Sequence, residues 1–314
     1  MTVQLAREKW QGAISAVTIG ATKEDGGSRS SAIKIGGEES LPCLFSEGAI
    51  TNKPRVAFEV WDVPPADWPK ELSKEFSNSL NDPFIWAGKC IKDYNAELIC
   101  LRLQGAHPDY QDKSPEEEAA FIKEFIRSVN LPLIILGCGD DAKDNLLLPA
   151  CSEAARGERC LIGNATQENY KAIAASAMAD GHSIIAESPI DVNIAKQLNI
   201  LICDTGLPLE RIVIDPTIGA LGYGLEYAYS IMERARLAAL SGDKTLASPF
   251  ICFVGQEAWR AKEAKSGEPN QGVMWEVITA ASLIQAGADL LVMRHPVAAE
   301  KSSKFIDKLF YKKQ

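Results

Sequence analysis

Eight short apolar runs rich in β-branched residues recur along the chain, and the interval between consecutive runs holds one helix and its loops. The runs are Val56–Val60, Leu98–Leu103, Leu133–Leu136, Cys160–Ile162, Ser183–Ala186, Arg211–Ile214, Phe250–Val254 and Asp289–Met293. Unbroken apolar runs of this length are strands covered on both faces, because a half-exposed strand alternates apolar and polar residues. Parallel neighbours need a crossover, and a helix is the usual one. Eight such units in series predict an α/β fold, a (β/α)8 TIM barrel, over residues 51–314. With 314 residues, 46% of them hydrophobic, the chain can build one such barrel with insertions.

The intervals carry mechanical helix signals. Asp82-Pro83 caps and opens a helix, because proline at the first helical position loses no hydrogen bond. Ser114-Pro115-Glu116-Glu117 reads as a capping box, and Ile122, Phe125, Ile126 and Val129 behind it have helical spacing. Thr166 and Asp191 are the expected caps of the helices after the fourth and fifth strands, and Gly157, Gly181, Gly206 and Gly242 stand where helices should stop. A long helix is expected from Leu225 to Leu240, and a short one from Glu257 to Ala264 ahead of a main helix from Val273 to Ala286.

Residues 1–50 fall outside the repeat. Ala16–Gly20 and Ala32–Gly36 flank Asp25-Gly26-Gly27 and predict a β-hairpin extension. Such a hairpin plugs the N-terminal end of the barrel or meets a partner, and the plug is the expectation.

Composition narrows the function. Lys and Arg number 33 against 42 Asp and Glu, a net charge of −9 that repels phosphate backbones, so nucleic acid is not an expected partner. No run approaches the length of a membrane span, and the first dozen residues lack the apolar stretch of a secretory signal. The eight cysteines are scattered with no C-x-x-C pair. They read as small core residues in a reducing, cytoplasmic compartment, not as a disulfide frame or an iron–sulfur site.

In this architecture ligands bind at the C-terminal ends of the strands. The residues there include Trp61-Asp62, Gly137-Cys138-Gly139-Asp140, Gly163-Asn164, Glu187-Ser188, Asp215-Pro216-Thr217 and Arg294-His295. This rim is rich in glycine, amide and carboxylate, and glycines let backbone N–H groups approach a ligand. Three histidines are too few for a convincing metal site. A triad of Ser188, His295 and Asp215 lacks the G-x-S-x-G elbow. A glycosidase pair drawn from Glu59, Asp62, Glu187 and Asp215 stays open. The segment DPTIGALGYG, Asp215–Gly224, is either a ligand-binding turn ahead of a helix N-terminus or a plain strand-to-helix crossing.

That segment also carries a resemblance. IVIDPTIGALGYGLEYAYSIMERARLAAL (Ile212–Leu240), GNATQENYK (Gly163–Lys171), SPIDVNIAKQLNILI (Ser188–Ile202), EAWRAKEA (Glu257–Ala264) and MRHP (Met293–Pro296) resemble, in order and spacing, the small subunit of the corrinoid iron–sulfur protein, also called the delta subunit of the acetyl-CoA decarbonylase/synthase complex. The likeness covers nearly the whole chain, Lys265–Gln271 excepted.

The resemblance implies a barrel subunit, without turnover of its own, that pairs with a large subunit holding a [4Fe–4S] cluster. The two would enclose a cobamide, a cobalamin-type corrinoid, at their interface. The pair would take a methyl group from methyltetrahydrofolate through a separate methyltransferase. It would deliver that group to acetyl-CoA synthase in the reductive acetyl-CoA pathway. The expected corrin contacts are Asn164, Asp215 and Thr217, the backbones of Gly219, Gly222 and Gly224, and the neighbours Cys138, Gly139 and Arg294. Asn164 and Asp215 also resemble loop positions of pterin-dependent methyltransferase barrels, which reads as shared ancestry of the barrel rather than pterin binding, since the rim lacks a second and third carboxylate placed to hold a pterin ring. A second reading is an enzyme acting directly on methyltetrahydrofolate. A third is a scaffold that leaves every corrin contact to its partner.

Overall fold

The computed structural model describes residues 6–266, 268 and 270–310. A hairpin of β1 (Ala16–Ile19) and β2 (Ile33–Gly36) precedes eight parallel strands: β3 (Arg55–Trp61), β4 (Ile99–Arg102), β5 (Leu133–Leu136), β6 (Leu161–Ala165), β7 (Ser183–Glu187), β8 (Ile212–Asp215), β9 (Phe250–Cys252) and β10 (Ala288–Met293). These eight close in the order β10-β3-β4-β5-β6-β7-β8-β9. The expected (β/α)8 barrel is therefore present, with strand ends within three residues of their expected positions.

Helices cross between the strands: α1 (Lys70–Phe76), α2 (Pro83–Tyr94), α3 (Pro115–Ser128), α4 (Asp141–Ala154), α5 (Tyr170–Asp180), α6 (Val192–Asp204), α7 (Leu225–Leu240), α8 (Val254–Ala258), α9 (Gln271–Ala286) and α10 (Pro296–Leu309). Asp82 caps α2, Ser114 and Glu117 form the reciprocal box on α3, and Asp191 caps α6. Thr166 does not cap α5. That helix starts at Tyr170, while the Thr166 N–H donates to Asn169 Oδ1 at 2.8 Å and the Thr166 hydroxyl donates to Asp141 at 3.0 Å. The short helix after β9 also begins earlier than expected, directly at the strand end.

Side chains alternate along each strand. The outward set, such as Val60, Leu101, Ile135 and Ile184, joins the helices in one large core. The inward set forms a second core: Ala57, Leu98, Cys100, Ile134, Leu161, Ile185, Val213, Ile251 and Leu290 pack with Val17, Ile19, Ile33 and Ile35 of the hairpin. Gly163 is inward as well, and a Cβ there would sit 2.6 Å from that of Ile185. The glycine is the space that Ile185 fills.

The hairpin thus closes the N-terminal end, as expected. Its edges are tied to residues that lead into barrel strands: Gly20 N–H to Arg159 O (2.8 Å), Ser30 N–H to Asn130 O (2.7 Å) and Ser15 N–H to Ala247 O (2.7 Å). Its connection is a long loop with a 3-10 turn at Lys23–Asp25, in place of a tight turn on Gly26-Gly27. Arg29 from this loop is buried, donating to the carbonyls of Ile126 and Val129 and to Glu158. A buried guanidinium with all these acceptors is a fixed anchor, since losing a partner there is far costlier than at the surface. Replacing Ile35, fully buried in the hairpin, by alanine is expected to lower stability by about 2–5 kcal/mol, read as a shift of the urea midpoint. A midpoint unchanged from the parent would show that the barrel does not depend on its plug.

Candidate functional site

The inward positions change character toward the C-terminal ends of the strands. After Leu98 and Cys100 comes Arg102, after Ala57 comes Glu59, after Ile185 comes Glu187, after Val213 comes Asp215, and after Val292 comes Arg294. Above this polar layer opens a cavity of about 860 Å³, lined also by Trp61, Tyr110, Cys138, Gly139, Asn164, Thr166, Thr217, Phe253, Gln256 and Arg260. Its volume falls in the range usual for small-molecule sites, roughly 300–1,000 Å³.

Two opposed groups form the floor. On one side Glu59 is completely buried and clasped by two arginines. Arg102 Nε donates at 2.8 Å, Arg294 Nε at 2.5 Å and Arg294 Nη2 at 3.2 Å, and the Trp61 indole adds a bond at 2.9 Å. The two guanidinium charges outweigh burial and hold the Glu59 carboxyl far below the usual carboxylate range. Arg294 also lies over the rings of Trp61 (5.5 Å) and Trp68 (5.0 Å), and Arg102 Nη2 donates to Gln256 at 2.8 Å.

On the other side Asn164 bridges two carboxylates. Its side-chain NH₂ donates to Glu187 Oε2 at 2.6 Å and to Asp215 Oδ2 at 3.1 Å, and the Thr217 N–H donates to Asp215 Oδ1 at 2.9 Å. Neither carboxylate pairs with a Lys, Arg or His among the described residues. Burial, reinforced by the charge of Glu187, pushes the Asp215 carboxyl well above its ordinary value.

The rim corrects one expectation. The amides of the glycine-rich loops are not free for a ligand. Cys138 N–H and Gly139 N–H both donate to Asp144, at 2.8 and 3.0 Å, and the Thr217 N–H is held by Asp215. A short loop has few acceptors of its own, so a buried carboxylate collects these donors. What faces the cavity is side-chain chemistry.

Of the nine expected contact residues, Cys138, Gly139, Asn164, Asp215, Thr217 and Arg294 line the cavity. Gly219, Gly222 and Gly224 do not, and the turn itself explains them. A Cβ on Gly219 would sit 2.3 Å from the Tyr223 carbonyl, and Gly222 and Gly224 hold φ of 76° and 98°, where side chains are strained. Cys138 is buried, which with the nearby Asp144 pushes its thiol up to about 12, so it remains protonated near neutral pH. Ser188, His295 and Asp215 do not form a triad. The Ser188 hydroxyl donates to the Asp215 main-chain oxygen, while His295 stacks on Trp259 and lies 3.9 Å from Glu75. In the glycosidase set, Asp62 is held by Lys113 and the Gly105 N–H, and Glu59 by its two arginines. Among the described residues no group of three or more His, Cys, Asp or Glu is placed to hold a metal.

Arg102, Glu187 and Gln256 were not among the expected contacts. Arg102 and Glu187 had a usable signal: each stands two residues beyond an inward apolar residue, at the same parity. Gln256 follows the end of β9 and is placed by the α8 turn.

The model of the family described as "CO dehydrogenase/acetyl-CoA synthase delta subunit" matches residues 16–302. The chain belongs to this family. Among curated relatives, the acetyl-CoA decarbonylase/synthase complex subunit delta of Methanocaldococcus jannaschii is 37% identical over 300 residues, covering 93% of this chain and 73% of the relative. The corresponding subunit of Methanosarcina mazei is 35% identical over 315 residues, covering 96% and 72%. Solved structures extend the likeness in fold alone. Dihydropteroate synthase of Xanthomonas albilineans, solved with 4-aminobenzoic acid, aligns with a TM-score of 0.56 at 16% identity over 86% of this chain and 98% of that one. The enzyme from Stenotrophomonas maltophilia aligns at 0.54 and 15% over 87% and 99%.

In this delta-family barrel, Asp215 gives the floor a pH signature. A carboxyl raised in the folded state is neutral there while the unfolded chain is already ionised. Stability therefore falls as pH rises from the unfolded value of about 4 through the folded one. Asp215→Asn is expected to be more stable relative to the parent at pH 8 than at pH 5, by urea unfolding at both. A difference that shrinks toward pH 8 would contradict the placement of Asp215.

Proposed function

We propose that this chain is the small, barrel subunit of a heterodimeric corrinoid iron–sulfur methyl carrier. It would cap a cobamide in the methyl branch of the reductive acetyl-CoA pathway. Membership of the delta-subunit family over residues 16–302 is the observation that carries this reading. The polar mouth supports it. Primary amide arms of a corrin both donate and accept hydrogen bonds, and Gln104, Thr166, Thr217, Gln256 and Arg260 around the cavity offer both kinds of partner.

The bound cobamide would supply the cobalt that carries the methyl group. The chain's own residues would shelter one face of the macrocycle and keep water from it, with Cys138, Gly139 and Thr217 at the rim. Asn164, Asp215 and Arg294 lie deeper and would be reached only by an arm that enters the cavity. The large subunit would bring the [4Fe–4S] cluster. A methyltetrahydrofolate-dependent methyltransferase and acetyl-CoA synthase would be the exchange partners, in the cytoplasm. No helix among the described residues is long and apolar enough to cross a membrane.

The test is cobalt retention by the co-expressed heterodimer. Thr166→Trp fills the mouth and is expected to lower cobalt per iron by about tenfold, the effect of losing roughly 1.4 kcal/mol of binding. Glu210→Trp, exposed at the opposite pole, should leave the ratio unchanged. Loss of cobalt with the second variant and not the first would place the macrocycle at the wrong end of the barrel for this reading.

A further inference from the structure

Among the described residues, seven other than glycine hold a positive φ, and two of these are β-branched: Ile190 at 40° and Thr217 at 50°. A branched Cβ crowds the neighbouring backbone in this region, which makes both of them outliers. They are also the two of the seven that line the cavity. Strained backbone of this kind clusters where ligands are held, and it persists only where the surrounding structure fixes it.

Two loops of the rim supply that fixing. Ile190 follows β7 and Thr217 follows β8. The Ser188 N–H donates to the Asp215 main-chain oxygen at 2.8 Å, and the Ile190 N–H is shared between the Pro216 carbonyl and the Thr217 hydroxyl, both at 3.1 Å. The Thr217 N–H donates to Asp215 Oδ1 at 2.9 Å, and its hydroxyl lies 3.3 Å from the Ser188 carbonyl. The loops are stitched together, and the stitch fixes the backbone that carries the Ile190 side chain.

The fold does not call for that side chain. The stitch uses only the Ile190 N–H, which glycine and asparagine also have, and both of those adopt this φ more readily. Ile190 is 41% exposed and joins neither core of the barrel, so burial offsets little of the strain. The mouth around it carries polar side chains such as Thr166, Gln256 and Arg260. An apolar side chain kept under strain at a polar mouth is suited to a ligand that is polar at its edge and apolar on its face. A corrin has that form, with amide arms around an apolar ring.

We propose that Ile190 is the apolar contact for the face of the macrocycle, held ready for it by the bonds between the two loops. The contact rests on the reading that the barrel caps a cobamide, and it separates one residue from the polar rim. Thr166, Gln256 and Arg260 would meet the amide arms, and Ile190 the ring between them. A side chain positioned before the ligand arrives loses less freedom on binding, and its exposed surface is covered only in the complex.

The experiment compares Ile190→Gly and Ile190→Leu with the parent by two readouts: cobalt per iron in the co-expressed heterodimer, and thermal unfolding of the full chain by itself. Ile190→Gly is expected to lower cobalt per iron by about tenfold, the loss of one buried aliphatic side chain. The same variant is expected to leave the unfolding midpoint unchanged or to raise it by about 2 °C, because the strain is relieved. Ile190→Leu keeps the apolar volume and should retain cobalt within about twofold of the parent. A residue that only packs the loop would give another pattern, with cobalt falling because the chain is less stable. The proposal is therefore overturned if Ile190→Gly lowers the midpoint by about 5 °C or more. It is also overturned if Ile190→Gly retains cobalt as the parent does. Retention by that variant alongside loss in Thr166→Trp removes Ile190 from the contact and leaves the macrocycle at the mouth. Retention by both variants removes the macrocycle from the mouth as well.

Discussion

A closed barrel has no edge and no exit for an inward side chain, so every inward position must be packed or paired. This constraint organises the molecule from one pole to the other. At the N-terminal pole the inward residues are apolar, and the hairpin supplies Val17, Ile19, Ile33 and Ile35 to complete their core. At the other pole they are charged, and packing cannot satisfy them. The barrel changes there from a filled core to a lined cavity.

Glu59 shows how the change is made. A carboxylate between two guanidiniums and an indole N–H is held ionised in a buried place, and in return it fixes Arg102 and Arg294 at the cavity floor. Buried ion pairs gain little stability over apolar packing of the same shape, but removing one member leaves an uncompensated charge. Their value here is orientation. Opposite them, Asn164 ties Glu187 to Asp215, and among the described residues neither carboxylate forms an ion pair. One wall of the cavity is built on paired charges and the other on carboxylates joined only through an amide.

The helix ends show where local chemistry and tertiary structure part. Asp82, Ser114 and Asp191 cap as their sequence context implies, because a side-chain oxygen within three residues of free N–H groups needs no further help. Thr166 has the same chemistry and does not cap. Its hydroxyl donates to Asp141 of the preceding helix and accepts the Glu168 N–H within a turn, and the helix itself begins only at Tyr170. The glycine-rich rim followed the same rule. Its backbone geometry was legible in Gly139, Gly222 and Gly224, but the fate of its N–H groups depended on Asp144 and Asp215, whose side chains fold back on the loops.

By itself the sequence determined the strand and helix order, the closure into eight units, the plugging hairpin and which pole carries the polar residues. Each follows from local periodicity, length and turn chemistry, and these act between near neighbours in the chain. Only the tertiary structure decided that Arg102 and Arg294 converge on Glu59, that Asn164 joins Glu187 to Asp215, and that Gly219, Gly222 and Gly224 serve their own turn. Those outcomes depend on which inward residues share a level of the barrel. That level is set by the register of parallel strands far apart in sequence, and no local pattern encodes it.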